Sequence, residues 1–119
     1  MSAKILVVDD SAIVRQMHAF MLRSAGFEVA EAENGAEALE AALAEKFDLI
    51  LTDINMPVMD GLEFLKAFRA FNKRTPFLIL TTESDLGKKE VAKQLGATGW
   101  IVKPFKPQDL SNLAKRFAR

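Results

Sequence analysis

Three aspartates, a threonine and a lysine stand where short apolar runs of this chain stop. Residues 5–8 run into Asp9 and Asp10, and residues 49–51 into Thr52 and Asp53. Residues 77–80 run into Thr81 and Thr82, and residues 100–102 into Lys103 and Pro104. If the four runs are parallel strands of one sheet, their polar ends gather at one edge. Carboxylates placed together there repel, by about 4 kcal/mol for two unit charges about 4 Å apart at an effective dielectric of about 20. A divalent cation relieves that repulsion, and a phosphoryl group bound beside it is the natural guest. Magnesium suits such a site because it takes oxygen ligands octahedrally and keeps several waters. Lys103, ending a buried strand, needs an anionic partner, since an unpaired buried ammonium is costly. Thr81 adds a hydroxyl at a fourth strand end.

The elements that would position these groups alternate five times between strand-like and helix-like stretches. Ser11 can cap a first helix whose apolar residues Ile13, Val14, Met17, Phe20 and Met21 share one face, and Gly26 closes it. His18, the one histidine, is expected at the border of that face. A weaker, more polar strand over 27–31 suits a sheet edge. Asn34-Gly35 turns into an alanine-rich helix with Ala38, Leu39, Ala42 and Leu43 inward. The third strand, 47–53, leads into a loop with Pro57 and Gly61, then a helix burying Phe64, Leu65, Phe68 and Phe71. The fourth helix, about 86–95, is the poorest, carrying Gly87 and the exposed pair Lys88-Lys89. Gly99 introduces the fifth strand. Pro107 starts a last helix with Leu110, Leu113, Ala114 and Phe117 as its apolar stripe. The expected fold class is α/β, a doubly wound (βα)5 unit with a parallel sheet covered on both faces. Ligands of such sheets bind beyond the carboxyl ends of the strands, where strand order reverses.

Composition narrows the function. The 119 residues suffice for one domain with its own core, and the expected organisation is a single domain over 1–119 with no output domain. The absence of cysteine excludes a disulfide frame, a Cys-based zinc site and a thiol nucleophile. Sixteen basic residues balance sixteen acidic ones, so no global field draws the chain to nucleic acid or to an anionic membrane. Its apolar runs are too short for a signal peptide or a membrane span, which points to the cytoplasm.

Taken together, Asp9-Asp10, the stretch from Asp53 through Asn55, Pro57 and Asp60 to Gly61, Thr81, and Lys103-Pro104-Phe105 resemble the receiver domain of two-component response regulators. The likeness spans essentially the whole chain and is greatest to the free-standing, CheY-like chemotaxis regulators, including the run from Gly96 to Phe105. It implies a flavodoxin-like sheet of order 2-1-3-4-5. It further implies that Asp53 is the phosphoacceptor, with Asp10, Asp53 and the Asn55 carbonyl binding magnesium (Mg2+, or manganese, Mn2+) and Asp9 acting through water. Lys103 would pair with the phosphoryl oxygens. Thr81 would donate its hydroxyl to one of them and vacate space for an aromatic switch, a position held here by Trp100. Tyr or Phe is commoner there, and the larger indole would swing less freely. Thr82 is a second departure, since a small residue often follows the strand-ending Thr or Ser. Asn55 and Glu83 stand where the family tunes loss of the phosphoryl group to water.

The resemblance therefore implies a signalling switch rather than an ordinary enzyme. A chemotaxis-type histidine kinase would phosphorylate it. The surface of the fourth helix, fifth strand and fifth helix would then bind the flagellar motor switch protein or another effector, with a phosphatase as a further partner. A phosphorelay carrier serving a histidine phosphotransfer protein is the alternative. A magnesium phosphohydrolase of the haloacid-dehalogenase type is disfavoured, because Asn55 stands where such enzymes carry a second Asp.

Overall fold

In the computed structural model, which describes residues 3–118 except the side chains of Glu83, Ser84 and Leu86, the alternation resolves into five strands and five helices. The chain runs β1 (Lys4–Val8), α1 (Ala12–Ser24), β2 (Glu28–Ala32), α2 (Gly35–Ala44), β3 (Leu49–Asp53) and α3 (Gly61–Arg69). It continues through β4 (Phe77–Thr81), a 3-10 segment (Glu83–Lys88), α4 (Lys89–Gln94), β5 (Gly99–Val102) and α5 (Pro107–Phe117). All strand pairs are parallel, in the order β2-β1-β3-β4-β5. Val8 lies opposite Thr52, Asp53 opposite Leu80, and Thr81 opposite Val102. Hence Asp9, Asp53, Thr81 and Lys103 leave the sheet at one edge.

The period of two along each strand divides the core between the faces. Leu6, Val8, Ile50, Phe77 and Ile79 pack with Phe64, Phe68 and Ala92 on the side of α2, α3 and α4. Ile5, Val7, Leu49, Leu51, Leu78 and Leu80 pack with Leu22, Leu110 and Ala114 on the side of α1 and α5. No helix among the described residues is long and apolar enough to cross a membrane.

Four local expectations need correction. In α1 the inward face is Arg15, His18, Ala19 and Leu22, whereas Ile13, Met17 and Phe20 are 74%, 56% and 70% exposed. Arg15 tolerates burial because its Nη1 donates to the Asp9 carbonyl (2.9 Å) and its Nε to Glu31 (3.2 Å). Leu43 and Phe71 are likewise exposed, and α3 ends at Arg69, before Phe71. The fourth helix begins as the 3-10 segment, so its α-helical part is only six residues long.

Glycine is required where the loop after β3 folds back. A Cβ on Gly61 would overlap the Asp53 carbonyl oxygen, and the Gly61 N–H donates to the Ile54 carbonyl (2.8 Å). In the same loop Val58 holds a left-handed φ of 70° while 81% exposed. A β-branched residue pays for that conformation and recovers no packing. Val58→Asn should therefore stabilise the fold by about 1 kcal/mol, raising the thermal midpoint by about 4 °C. Calorimetry checks this.

Candidate functional site

Each acidic side chain is fixed by the turn that follows its strand. Asp9 is buried, and its Oδ1 accepts from the Ser11 N–H (2.9 Å). Ser11 in turn caps α1 by accepting from the Val14 N–H (3.3 Å). Asp53 Oδ1 accepts from the Ile54 N–H (2.8 Å), which turns Oδ2 toward Lys103 Nζ at 3.3 Å. Lys103 Nζ also lies 3.6 Å from Asp9 Oδ2. Asp9, Asp10 and Asp53 each offer a carboxylate oxygen within 4.8 Å of the others. The Lys103 N–H donates to the Thr81 carbonyl (2.6 Å), and the bond from Lys103 to Pro104 is cis. Asp9, Asp53 and Lys103 are thus brought within reach of one another, and the strand end at Thr81 is tied to Lys103 through the backbone.

Its electrostatics are unbalanced. Burial pushes the Asp53 carboxyl above its ordinary range; Lys103 pulls it back and Asp9 pushes it up again, leaving it raised. Asp9 Oδ2 is buried with no hydrogen-bond partner among the described residues. Such an oxygen, beside two further carboxylates, is the donor set a hard cation takes, so these residues fit magnesium.

A model of the response regulator receiver domain matches residues 5–115. The chain belongs to that family. Among solved structures, chemotaxis response regulator CheY4 of Vibrio cholerae is 50% identical, covers 98% of this chain and 99% of its own, and superposes with a TM-score of 0.92. The receiver domain of a sensor histidine kinase from Pseudomonas aeruginosa, 31% identical over 99% of this chain and 98% of its own (TM-score 0.90), has a magnesium ion coordinated in its active-site cleft. Curated relatives include the transcriptional regulatory protein PrrA of Mycobacterium tuberculosis, 39% identical over 99% of this chain and 51% of the relative. The chain spans about half the length of the curated relatives it matches.

On this receiver frame the remaining expected residues separate. Thr81 is buried, its hydroxyl donating to the Thr82 carbonyl (3.2 Å). A cavity of about 10 Å³, room for about one water, lies between Thr81 and Trp100, with Lys89 and Asp85 on its wall. Trp100 is half-buried beneath Lys89, whose Nζ lies 4.0 Å from the ring centroid. Asn55 points its amide to Asp85 and Lys88. The side chain of Glu83 lies outside the described residues.

Two neighbours escape a reading by residue type. Arg15, six residues after Asp9, braces that residue's carbonyl from within α1. Its signal was a spacing that matches Leu22 and Ala19 on one helix face. His18 is not at a border: it is only 6% exposed, its ring 5.5 Å from Phe105 and its Nδ1 unpartnered among the described residues. Burial, then Lys103, lowers its pKa against an opposing pull from Asp53. The unfolded chain therefore binds this proton more readily. Stability contributed by the neutral ring is present above the ordinary value near 6.5 and is lost as pH falls through the lower folded value. Urea midpoints should fall on acidification through that window, and His18→Leu should flatten that part of the slope.

Proposed function

We propose that the chain is a phospho-accepting switch that takes a phosphoryl group on Asp53 from the phosphohistidine of a chemotaxis-type histidine kinase. The observation that carries this reading is Lys103 Nζ at 3.3 Å from Asp53 Oδ2, with the Asp9 and Asp10 carboxylates gathered beside it. An Asp53 oxygen attacks phosphorus, the bond from phosphorus to the donor imidazole breaks, and the imidazole leaves with that electron pair. Phosphoryl transfer asks mainly for positioning and charge neutralisation. The Ile54 N–H fixes the nucleophile's rotamer, and Lys103 supplies a positive charge to the transferred oxygens. Asp10, Asp53 and the Asn55 carbonyl would hold magnesium, with Asp9 acting through water; when bound, the metal spreads charge from the same oxygens. Water later returns Asp53 to its carboxylate, so the phosphorylated chain itself is the product and the protein is not an enzyme in the ordinary sense.

Output then depends on surface. A phosphoryl group of about −1.5 to −2 charge draws the Thr81 hydroxyl toward it and enlarges the small cavity against Trp100. The α4, β5 and α5 face would carry the change to a flagellar motor switch protein or another effector, with a phosphatase resetting it in the cytoplasm. Identity of 50% to CheY4 over nearly the full length of both chains supports the chemotaxis assignment. Titration of a motor-switch peptide with and without a beryllofluoride phosphoryl mimic tests it. Tighter binding with the mimic is expected, and unchanged affinity rejects that partner.

One observation favours a second reading, a phosphorelay carrier. Ile13, Met17 and Phe20 form an exposed apolar row on α1, beside a groove lined by Val14, Met21, Phe105 and Pro107 that reaches Lys103. A helical histidine phosphotransfer partner would fit there. Pulse-labelled protein should pass label to such a partner, and loss of label only to water rejects the relay.

A further inference from the structure

A second polar cluster spans the rim of the acceptor pocket. Asn55 stands two residues beyond Asp53, and both ends of its amide are engaged. Its Nδ2 donates to Asp85 Oδ2 (2.7 Å), and its Oδ1 accepts from Lys88 Nζ (3.2 Å). The same Asp85 oxygen accepts from the Thr82 hydroxyl (3.2 Å), and Lys88 Nζ lies 3.7 Å from Asp85 Oδ1. The Asp85 side chain is only 14% exposed while its partner Lys88 is 45% exposed, so the cluster is held by the hydrogen bonds converging on Asp85 more than by the ion pair. Because β3 and β4 are neighbours, with Asp53 opposite Leu80, the cluster bridges the loops that leave those two strands. Asp85 also lines the cavity between Thr81 and Trp100. One carboxylate therefore touches the acceptor loop, the residue after Thr81, and the space next to the indole.

We propose that Asp85, with Lys88, is a positioning residue that slows loss of the phosphoryl group from Asp53 by locking the Asn55 amide at the pocket mouth. The inference rests on Asp53 being the acceptor. In hydrolysis the oxygen of a water bonds to phosphorus as the bond from phosphorus to the Asp53 oxygen breaks. The electron pair of that bond returns to the carboxylate, and both water protons leave with the group as dihydrogen phosphate. In-line attack brings the water from the side opposite Asp53, the mouth where the loops after β3 and β4 meet. One N–H of the amide is given to Asp85 and one lone pair of its oxygen to Lys88, so these two partners, and not the incoming water, set the plane and direction of the group. Released, it could both accept from and donate to it, holding the nucleophile in an attacking position.

The test is decay of label after brief phosphorylation with acetyl phosphate and magnesium, followed after donor removal. Asp85→Ala should lose label about tenfold faster than the parent, equivalent to about 1.4 kcal/mol in barrier. Lys88→Ala should accelerate decay in the same direction. Asp85→Asn, which can still accept from Asn55 and Thr82, should restore a slow rate. In an Asn55→Ala background Asp85→Ala should have no further effect, a dependence that mere destabilisation would not produce. Parental decay rates in both Asp85→Ala and Lys88→Ala, or equal acceleration in the Asn55→Ala background, overturn the proposal. Failure of the parent itself to take label at Asp53 would instead overturn the receiver mechanism on which it rests. If Asp85→Ala does not fold, as judged by circular dichroism, Lys88→Ala and its Asn55→Ala double variant decide the matter.

Discussion

Replacing Asp53 with Asn should abolish labelling by acetyl phosphate and, in the absence of magnesium, make the protein more stable. The two effects have one origin. Asp53 is the carboxylate that Lys103 approaches most closely, and an amide oxygen cannot serve as the nucleophile that forms an acyl phosphate. Yet the same group is held above its ordinary pKa by burial and by Asp9, despite Lys103. The native state therefore binds this proton more tightly than the unfolded chain, and ionisation of Asp53 opposes folding at neutral pH. Asparagine removes that cost. The stabilisation should be present above the raised folded value and fade as pH falls through it toward the ordinary value of 3.8. Denaturant melts of parent and Asp53→Asn across that range provide the measurement. A variant less stable than the parent at neutral pH without metal would contradict the electrostatic picture.

Lys103→Met should slow labelling by about 100-fold while leaving the fold intact. Methionine keeps much of the lysine stem and removes only the charge. Among the described residues Lys103 is the cation paired with the acidic cluster, 3.3 Å from Asp53 and 3.6 Å from Asp9. Loss of one preorganised group that stabilises charge in a transition state typically costs about 100- to 1,000-fold in rate. The same substitution removes the positive charge that helps lower the His18 pKa, so His18 should titrate at higher pH in the variant. Proton NMR of its ring reads this directly. Labelling within about threefold of the parent rate would exclude a transition-state role for the lysine.

Much of this site was legible because its residues end strands. Apolar runs stopping at Asp9, Asp53, Thr81 and Lys103 define the sheet edge almost without help from the helices, and parallel pairing does the rest. The helices were harder. In α1, Arg15, His18, Ala19 and Leu22 obey the same helical spacing as the more apolar row Ile13, Met17 and Phe20. Periodicity supplies both faces, and hydrophobicity selects the wrong one. Burial of Arg15 is offset by tertiary partners, the Asp9 carbonyl and Glu31, that no local pattern reveals. The rim cluster was hidden for a related reason. Asn55 and Lys88 are 33 residues apart, and only the adjacency of β3 and β4 brings their loops together. Gly87 and the lysines beside it mark the fourth helix as the poorest in sequence, but they do not reveal that its first part is a 3-10 segment.

The most direct test of the acceptor assignment is to map the modified residue itself. The intact chain would be treated with acetyl phosphate, with magnesium or with chelator, reduced with borohydride to trap the acyl phosphate, and analysed by peptide mass spectrometry. The account predicts one modified site, Asp53, formed with magnesium and lost with chelator. Modification at His18 or another residue, or equal modification of Asp53 without the metal, would contradict it.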